Sequence, residues 1–506
     1  MAGIIDDINK AITGRYPIIY LNTTEEGRVI NAIRRLAKKQ AADMPVISWS
    51  CSDGLVPDID KGTASIDTRD PLSALDIIIK AAKPGFYILK DLPEFMDQPA
   101  VNRALRDAYT KFSARNDLFI FIVSPRADIP EVLSNEIYTI DVALPDTDEL
   151  LAQVTQIQTN YSGHKLRNDV LKDIAFALNG LTLNDASHIM HQICSDANLT
   201  LDAMHGYINS AKKRLASGGA ACLEYIPVTV GIDQVGGLNR LKDWIETRKG
   251  LFSHKSQGAD MPVPRGILFM GISGCGKSIC AKVVADTWKV PLYRLDMNLI
   301  FSDLYGNPEA AFHKAVHAVE AAAPAVLWID EIENGMGLLD GGNSNQSHIF
   351  SAFLTWMQEK PPLVFVAATA NRIESLPAEL IRKGRFDQVF FCDLPDEKER
   401  AEILRIHIKA NKQNPDDFDI PHLTDITKEW NAAELEQAVQ GGRIDASNEN
   451  RAFTTADIAR YIDTIVPLSE TMSEQIKKIR DWAWDRATPA SKGKGKGREL
   501  SLSEED

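Results

Sequence analysis

The chain carries, at residues 271–278, the stretch Gly271-Ile272-Ser273-Gly274-Cys275-Gly276-Lys277-Ser278. An apolar strand pattern over residues 267–270 leads directly into this stretch, and a helical pattern follows it. Glycines at these positions let backbone N–H groups surround phosphate oxygens at the N-terminus of a helix. The Lys277 ammonium can reach the β- and γ-phosphates, and the Ser278 hydroxyl can bind Mg²⁺. This context predicts a P-loop, so we expect the chain to bind a nucleoside triphosphate.

A later strand pattern ends in two acidic residues, which is the second element that P-loop hydrolysis requires. The run is Ala325-Val326-Leu327-Trp328-Ile329-Asp330-Glu331. Asp330, at the tip of the strand, is expected to hold the Mg²⁺ shell. Glu331 is expected to polarise a water molecule for in-line attack on the γ-phosphate. The pair therefore predicts hydrolysis as well as binding.

Two further polar elements follow along the chain. Residues 363–369 form another apolar strand pattern, and Asn371 just beyond it is predicted to orient the attacking water or to sense the γ-phosphate. Arg382 and Arg385 lie three positions apart on a segment that contains Gly384. From the residues alone, these two arginines are either surface ion-pairing residues or part of the catalytic machinery.

Several segments between about residues 228 and 465 together resemble the AAA family of P-loop ATPases. Besides the P-loop and the acidic pair, they are Ile232-Asp233-Gln234-Val235-Gly236-Gly237-Leu238, Pro264-Arg265-Gly266-Ile267-Leu268, Ala367-Ala368-Thr369-Ala370-Asn371-Arg372 and Arg382-Lys383-Gly384-Arg385-Phe386-Asp387. The resemblance implies an α/β fold, in which a parallel sheet with flanking helices is followed by a small helical lid. It also implies ATP and Mg²⁺ as cofactors.

The resemblance further implies a role for each site residue. Arg382 and Arg385 would act on the nucleotide of a neighbouring subunit in a homo-oligomeric ring, usually a hexamer. Ile232 and the backbone near Gly236 would lie beside the adenine. The phosphates would be bound by the residues of the loop and the helix start: Gly271, Ser273, Gly274, Cys275, Gly276, Lys277, Ser278 and Ile279. In the lid, the usual Ser-Gly-Ala-Asp is Asn431-Ala432-Ala433-Glu434 here, so Ala432 would contact a slightly reshaped adenine site.

The sequence departs from the family pattern at the central pore. The usual aromatic-Val-Gly falls on Leu304-Tyr305-Gly306, where the aromatic residue is displaced by one position. Tyr305 is either a pore-loop residue that grips polypeptide or a core or interface tyrosine. No His-Glu-x-x-His motif occurs in the chain, which excludes a fused zinc protease of that type.

The first 146 residues also alternate apolar strand patterns with helical ones, which predicts a second parallel sheet. Two of its strand ends, at residues 86–91 and 119–125, parallel those at residues 326–331 and 364–369, and an internal duplication is therefore predicted. Where a first P-loop would lie, the chain reads Leu21-Asn22-Thr23-Thr24-Glu25-Glu26-Gly27, without Gly-Lys-Ser/Thr. This half is expected to be a degenerate AAA/RecA-like domain that hydrolyses no nucleotide.

These patterns divide the chain into five predicted parts. They are a degenerate domain with a helical segment (1–205), a linker (206–227), the large ATPase subdomain (228–395), the helical lid (396–468), and a C-terminal helix with a disordered tail (469–506). The linker boundary rests on the small-residue run Ala216-Ser217-Gly218-Gly219-Ala220-Ala221.

Composition limits the partners. The 506 residues carry a formal net charge of −14, which makes nucleic acid an improbable ligand, although a local basic groove would escape such a count. The acidic N-terminus and the lack of a long apolar run argue against a targeting peptide or a membrane anchor. We expect a cytoplasmic protein, or a stromal one if an organelle encodes it.

The whole layout resembles a group of uncharacterised AAA proteins encoded by cyanobacterial and algal chloroplast genomes. Their sequences resemble this chain at two segments, Arg15-Tyr16-Pro17-Ile18-Ile19-Tyr20 and Phe353-Leu354-Thr355-Trp356-Met357-Gln358-Glu359-Lys360. Three functions are open at this point. They are an ATP-driven remodeller of an unknown protein client, a slow, nucleotide-dependent assembly switch, and a DNA- or RNA-acting AAA protein, which the acidic balance disfavours.

Overall fold

The architecture is that of a computed structural model, which describes residues 2–39, 44–57, 68–125, 129–161, 166–196, 199–219, 222–253, 262–301, 307–333, 344–372, 376–382, 384–483 and 486–492. The chain forms two compact units. The N-terminal unit comprises Met1–Tyr161 and Leu181–His191, and the C-terminal unit comprises Ser162–Gly180 and Gln192–Asp506.

The N-terminal unit is built on a six-stranded sheet with the order β3-β2-β4-β5-β1-β6. Its strands are β1 (Ile18–Asn22), β2 (Val46–Ser50), β3 (Gly54–Pro57), β4 (Gly85–Lys90), β5 (Leu118–Ser124) and β6 (Tyr138–Asp141). Every paired strand is parallel except β3, which runs antiparallel to β2 at the edge. In β5 all seven residues are buried, as expected for a central parallel strand covered on both faces.

Helices cover both faces of this sheet. They are α1 (Ala2–Thr13), α2 (Glu26–Lys39), α3 (Pro71–Ala81), α4 (Pro99–Phe112) and α5 (Thr147–Thr159), and the unit also includes the start of α7 (Leu183–Ser195). One apolar core lies between the sheet and α1–α2, and another involves α3–α4. The predicted parallel sheet is thus confirmed, with two short edge strands, β3 and β6, that the sequence patterns did not indicate.

A buried ion cluster closes the loop after β1, where a first P-loop would lie. The Arg28 guanidinium lies 3.0 Å from a Glu25 carboxylate oxygen and 2.6 Å from a Glu149 carboxylate oxygen. The side chains of Arg28, Glu25 and Glu149 are 4, 5 and 7% exposed, respectively. The other Glu25 oxygen accepts a hydrogen bond of 2.6 Å from the Leu183 amide. The carboxylates therefore neutralise the buried cation and cap a helix start.

The C-terminal unit is built on a seven-stranded sheet with the order β13-β12-β8-β11-β10-β9-β7. Its strands are β7 (Leu223–Ile226), β8 (Gly266–Gly271), β9 (Leu292–Leu295), β10 (Ala325–Ile329), β11 (Val364–Ala370), β12 (Gln388–Cys392) and β13 (Thr488–Pro489). Only β7 among these is antiparallel to its neighbour, and it pairs with β9. The order of the five parallel strands, β9-β10-β11-β8-β12, repeats β2-β4-β5-β1-β6, which supports the predicted duplication. The antiparallel edge strand has a different origin in each unit, since β3 follows β2 in the chain whereas β7 precedes β8.

Helices again flank this sheet. They are α6 (Asn168–Ala177), α8 (Leu201–Gly219), α9 (Asn239–Arg248), α10 (Lys277–Trp288), α11 (Met297–Ile300), α12 (Pro308–Ala321), α13 (Ser344–Glu359) and α14 (Ala378–Ile381). A helical lid follows with its own apolar core, formed by α15 (Glu397–Ala410), α16 (Ile420–Ile426), α17 (Ala432–Asn448) and α18 (Thr455–Ile462). After the lid come α19 (Leu468–Thr471) and α20 (Ser473–Ala483).

The segment predicted as a linker, 206–227, holds regular structure instead. Most of α8 and the whole of β7 fall within it. The small-residue run contains alanines, which favour a helix where a linker was inferred. Lys212 anchors α8: its fully buried ammonium donates to the carbonyls of Ala322 (2.9 Å) and Ala323 (3.4 Å), just beyond the end of α12. Burial lowers the pKa of Lys212 to about 7.

The C-terminal residues close the other edge of the sheet. Strand β13 pairs with β12, and the carbonyl of Ala490 accepts hydrogen bonds from the amides of Arg240 and Leu241 at the start of α9. The predicted C-terminal helix corresponds to α20. The tail predicted to be disordered begins at Ser491, but the Ser491 hydroxyl donates to the Glu399 carboxylate, and Lys492 pairs with Asp243. The rest of the predicted tail lies outside the described residues.

Candidate nucleotide site

The P-loop connects β8 to α10 through the five residues 272–276. Gly271, Gly274 and Gly276 all have positive φ, at 138°, 78° and 85°, which a side chain tolerates poorly. Space is also restricted, because a Cβ on Gly274 would lie 2.6 Å from the Asn431 side-chain oxygen. The loop can therefore turn its backbone tightly only because these three positions are glycines.

Lys277 opens α10 with its side chain folded against the loop. Its ammonium donates to the carbonyls of Gly271 (2.9 Å) and Ile272 (2.7 Å), and the residue is only 6% exposed. Burial lowers the pKa of Lys277. The two carbonyls are neutral partners, so the lysine retains a positive charge that an anion can attract.

A hydrogen-bonded chain links the ends of the neighbouring strands to the P-loop. The Asp330 carboxylate accepts from the Ser278 hydroxyl (3.2 Å) and from the Thr369 hydroxyl (2.5 Å). Thr369 in turn accepts from the Glu331 amide at 3.0 Å. The Asn371 side-chain amide donates to the Glu331 carboxylate at 2.8 Å. The chain fixes the positions of both acids and of Asn371 relative to the first turn of α10.

Glu331 adopts an unusual backbone conformation. Its φ is 48°, in the left-handed region that non-glycine residues rarely occupy. The residue is the second after β10, and this turn directs its carboxylate toward Asn371. Such local strain is often found at functional sites.

The described residues enclose a cavity of about 450 Å³ over the P-loop. It is lined by the loop and α10 start (residues 273–279), the entry segment (Gln234, Val235, Gly236 and Leu238), the catalytic candidates Glu331 and Asn371, and the lid (Ile403, His407, Ala432, Ala433 and Glu436). Most of the predicted binding residues thus meet in one cavity. Gly271 lines an adjoining cavity, Asp330 touches Ser278 beside it, and Ile232 packs against the core without lining it.

The lid contacts the P-loop directly. Asn431 caps α17 by accepting from the Glu434 amide, and the Ala433 amide donates to the Gly274 carbonyl at 3.0 Å. Because this hydrogen bond joins backbone to backbone, the lid helix follows the position of the loop. The predicted residue Ala432 is beside it, at the first position of α17.

His407 of α15 and Glu436 of α17 line the lid side of the cavity. Their side chains approach to 3.9 Å between His407 Nδ1 and Glu436 Oε1. Burial lowers the pKa of His407. The sequence analysis assigned no role to either residue, because neither belongs to a motif that marks it. It also gave no role to Thr369, which it included only as part of a strand end. Only their place in the folded lid and sheet brings them to the site.

Arg382 and Arg385 do not line this cavity. Arg382 is exposed at the end of α14, and the Arg385 guanidinium donates to the Glu379 carbonyl. Within their own chain, neither arginine therefore lines the space where the phosphates would bind. The predicted pore residue Tyr305 lies outside the described residues.

A second cavity of about 450 Å³ adjoins the first, and Ser273, Glu331 and Asn371 line both. Glu333 also lines it and is 4% exposed. One Glu333 oxygen accepts from the amides of Asn371 (2.8 Å) and Arg372 (3.0 Å), while the other is buried with no hydrogen-bond partner in the described part of the chain. A cation entering this cavity would meet a carboxylate.

As for membranes, none of the helices described is both long and apolar enough to cross one.

Comparisons with known proteins agree with this geometry. Residues 267–394 match the profile of the ATPase family associated with various cellular activities (AAA), and residues 4–142 match that of the SpoVK-like AAA ATPase, N-terminal domain. The AAA domain-containing protein ycf46 of Pyropia yezoensis is 35% identical over 492 residues, covering 96% of this chain and 99% of that protein. The ycf46 protein of Guillardia theta is 34% identical over 488 residues, covering 95% of this chain and 94% of that protein.

A more distant similarity covers less than half of the chain. The ATP-dependent zinc metalloprotease FtsH 2 of Petrotoga mobilis is 32% identical over 234 residues, which are 45% of this chain and 36% of that protein. The ycf46 similarity, in contrast, extends over nearly the whole length of both chains. The chain therefore belongs to the AAA family of ATPases, in the group represented by the ycf46 proteins.

Proposed function

We propose that the protein hydrolyses ATP with Mg²⁺ at the P-loop cavity and uses this turnover to remodel a protein partner. The observation that carries the proposal is the hydrogen-bonded chain from Ser278 through Asp330 and Thr369 to Glu331 and Asn371. It joins the residue types that phosphate binding, metal binding and water activation require.

The donor set fits Mg²⁺. This ion prefers hard oxygen ligands, and two ligands at right angles with bonds of ~2.1 Å lie about 3 Å apart. The Ser278 and Asp330 oxygens are 3.2 Å apart. Bound there, Mg²⁺ would neutralise charge on the β- and γ-phosphate oxygens. Lys277 would exchange its two carbonyl partners for those oxygens, and the P-loop amides would hold the remaining ones.

Glu331 is the group that accepts the proton of the attacking water. A general base must lie within hydrogen-bond reach of that water, and Glu331 lines the cavity on the side of Asn371. The Asn371 amide orients the carboxylate and can also donate to the γ-phosphate. Neither residue forms a covalent bond with the substrate.

A homo-oligomeric ring, hexameric in the manner of its family, would complete the site. Arg382 and Arg385 lie outside the cavity of their own chain, and the cavity beside Glu331 presents the buried Glu333 carboxylate. In the ring, these guanidinium groups would reach the γ-phosphate of a neighbouring copy. An arginine supplied in this way contributes ~10³–10⁵ to the hydrolysis rate.

Mixed rings test this arrangement. Arg385→Ala and Lys277→Ala proteins should each be inactive alone, whereas a mixture should regain part of the turnover, because an intact P-loop then meets an intact arginine. If Arg385→Ala hydrolyses ATP normally as a single species, the arginine is only a surface charge.

The N-terminal unit would bind the client, since its strand order repeats that of the ATPase unit without a P-loop. The protein would act in the cytoplasm, or in the chloroplast stroma where an organelle encodes it.

The second candidate function is an assembly switch whose slow hydrolysis only resets it. The displaced aromatic residue in Leu304-Tyr305-Gly306 favours this alternative, because it weakens the case for polypeptide threading.

The deciding experiment uses Glu331→Gln, which should bind ATP without hydrolysing it. Affinity capture with this variant in ATP should retain a client that the Lys277→Ala variant does not retain. Glu359→Gln, an exposed position at the end of α13, is the matched control and should turn over like wild type. Turnover stimulated by the captured protein supports remodelling, whereas slow, unstimulated turnover with ATP-dependent oligomer size supports the switch. Normal hydrolysis by Glu331→Gln would refute the site.

A further inference from the structure

One carboxylate at the lid side of the cavity has no role in phosphate chemistry. Glu436 is on α17, four residues after Ala432 and therefore on the same helix face, and both line the cavity. By contrast, Leu435, Ala438 and Val439 of the same helix are buried in the core of the lid. The helix thus directs Glu436 toward the space where the nucleoside would lie, since the P-loop fixes the phosphates at the other side.

The neighbours of Glu436 orient its carboxylate. Its Oε1 accepts a hydrogen bond of 3.0 Å from the Gln440 side-chain amide, one helical turn further on. His407 Nδ1 lies 3.9 Å from the same oxygen, and burial lowers the pKa of that imidazole. Both contacts involve Oε1, so Oε2 can accept a further hydrogen bond at the cavity wall.

An acceptor at this position can bind only a hydrogen-bond donor. In ATP the nucleoside offers two kinds, the 6-amino group of adenine and the hydroxyl groups of ribose. A guanine would instead present a carbonyl oxygen at the 6-position, which a carboxylate repels. A buried or half-buried site that satisfies a substrate donor discriminates strongly against analogues that lack it.

We propose that Glu436 is a specificity residue that accepts a hydrogen bond from the nucleoside of the bound triphosphate. The inference rests on the proposed nucleotide site, and it adds a selection that the P-loop cannot make, because the P-loop contacts only phosphates. The gain expected from such a charge-assisted hydrogen bond at a half-exposed position is about tenfold in affinity.

The test is a binding series with ATP, dATP, purine riboside triphosphate and GTP on the full chain. The variants are Glu436→Ala, Glu436→Gln and, as a matched control, Gln437→Ala, which is exposed on the same helix and does not line the cavity. Glu436→Ala should weaken ATP binding about tenfold. Glu436→Gln should lose less, because its amide oxygen still accepts. Gln437→Ala should bind like wild type.

The analogues identify the donor. If the ribose 2′-hydroxyl is the donor, wild type binds dATP more weakly than ATP and Glu436→Ala abolishes this difference. If the 6-amino group is the donor, wild type binds purine riboside triphosphate more weakly than ATP, and Glu436→Ala abolishes this difference. The affinity for GTP then rises in Glu436→Ala. Either result supports the proposal.

Two results would overturn it. Equal weakening of all four nucleotides and of 3′-deoxy-ATP, which tests the remaining ribose hydroxyl, would mean that Glu436 acts through the fold of the lid. Unchanged or uniformly tighter binding would mean that the carboxylate contributes nothing, or only repels the triphosphate. If wild type binds no nucleotide at all, the proposed function fails first, which is a different outcome from intact binding with unchanged selectivity.

Discussion

The two units share one strand order but treat the loop after the equivalent strand in opposite ways. In the N-terminal unit, three residues separate β1 from α2, whereas five residues separate β8 from α10. The two units have a similar backbone conformation after another pair of equivalent strands. Asp91 after β4 and Glu331 after β10 have nearly the same left-handed φ, 52° and 48°. The fold has thus been kept while the phosphate-binding loop has been shortened.

The buried cations show what the short loop does instead. Arg28 is neutralised by two carboxylates of its own chain, whereas Lys277 is held by two carbonyls. At the strand end, Lys90 forms an ion pair of 2.7 Å with Glu26, where the other unit places Asp330 beside Ser278. One unit satisfies its charges internally, and the other leaves them available to a ligand. This difference is the one expected between a unit that binds nucleotide and a unit that does not.

The largest expected effect concerns nucleotide stoichiometry. Wild type, or Glu331→Gln to prevent turnover, should bind one ATP per chain, because the loop after β1 lacks Gly-Lys-Ser/Thr. Lys277→Ala should bind none, because it removes the P-loop lysine. Titration calorimetry measures both values. Any saturable ATP binding left in Lys277→Ala would place a second site in the N-terminal unit and break the comparison.

The next effect concerns the metal position. Asp330→Asn should lower turnover by about 10²-fold and raise the Mg²⁺ concentration needed for half-maximal rate, since it removes a charged oxygen ligand. Lys90→Met, at the equivalent strand end, should leave both values unchanged. Steady-state assays over a Mg²⁺ series decide this, and equal losses in the two variants would indicate a shared structural role.

A smaller effect concerns the ion cluster. Arg28→Ala should destabilise the N-terminal unit by about 3–5 kcal/mol, because it leaves buried carboxylates without their cation. Arg103→Ala, which removes an exposed ion pair with Asp107, should cost less than about 1 kcal/mol. Hydrogen exchange of β1 amides in the full chain reports the difference. Equal protection in both variants would mean that the cluster does not hold the loop.

The smallest effect tests a buried cation held by carbonyls alone. The pKa of Lys212 falls from 10.5 to about 7 on folding, so the unfolded chain binds more protons between these values. Stability should therefore rise with pH above about 7, by at most ~1.4 kcal/mol per pH unit. Urea unfolding of wild type and Lys212→Met at pH 7, 8 and 9 measures this slope, which the variant should lack. Parallel curves would exclude the linkage.

The sequence predicted the elements whose chemistry depends on adjacent residues. The P-loop, the acidic pair and Asn371 each follow a strand that its apolar run identifies, and both parallel sheets were predicted for the same reason. It did not predict β3, β6, β7 or β13, because edge strands of two to four residues have too few side chains for a recognisable period.

The nucleoside side of the site was also beyond reach from the sequence. His407 and Glu436 lie on different lid helices, and only the packing of α15 against α17 brings them together. Thr369 was quoted as part of a strand, yet its hydroxyl contacts depend on the register between β10 and β11. Such residues are selected by tertiary contacts and not by local spacing.

Strand β13 also bears on the order in which the ATPase unit is made. The apolar strand β12 ends at Cys392, but the strand that covers its open edge begins only at Thr488. During synthesis, β12 therefore emerges from the ribosome long before β13. Until then its backbone groups are free to pair with another nascent chain. Because Ala490 also caps α9, release of these last residues both protects the edge and locks the first helix of the unit. A ribosome that stalls within α20 would leave an aggregation-prone intermediate, whereas a released chain in which β13 is free to pair with β12 would not.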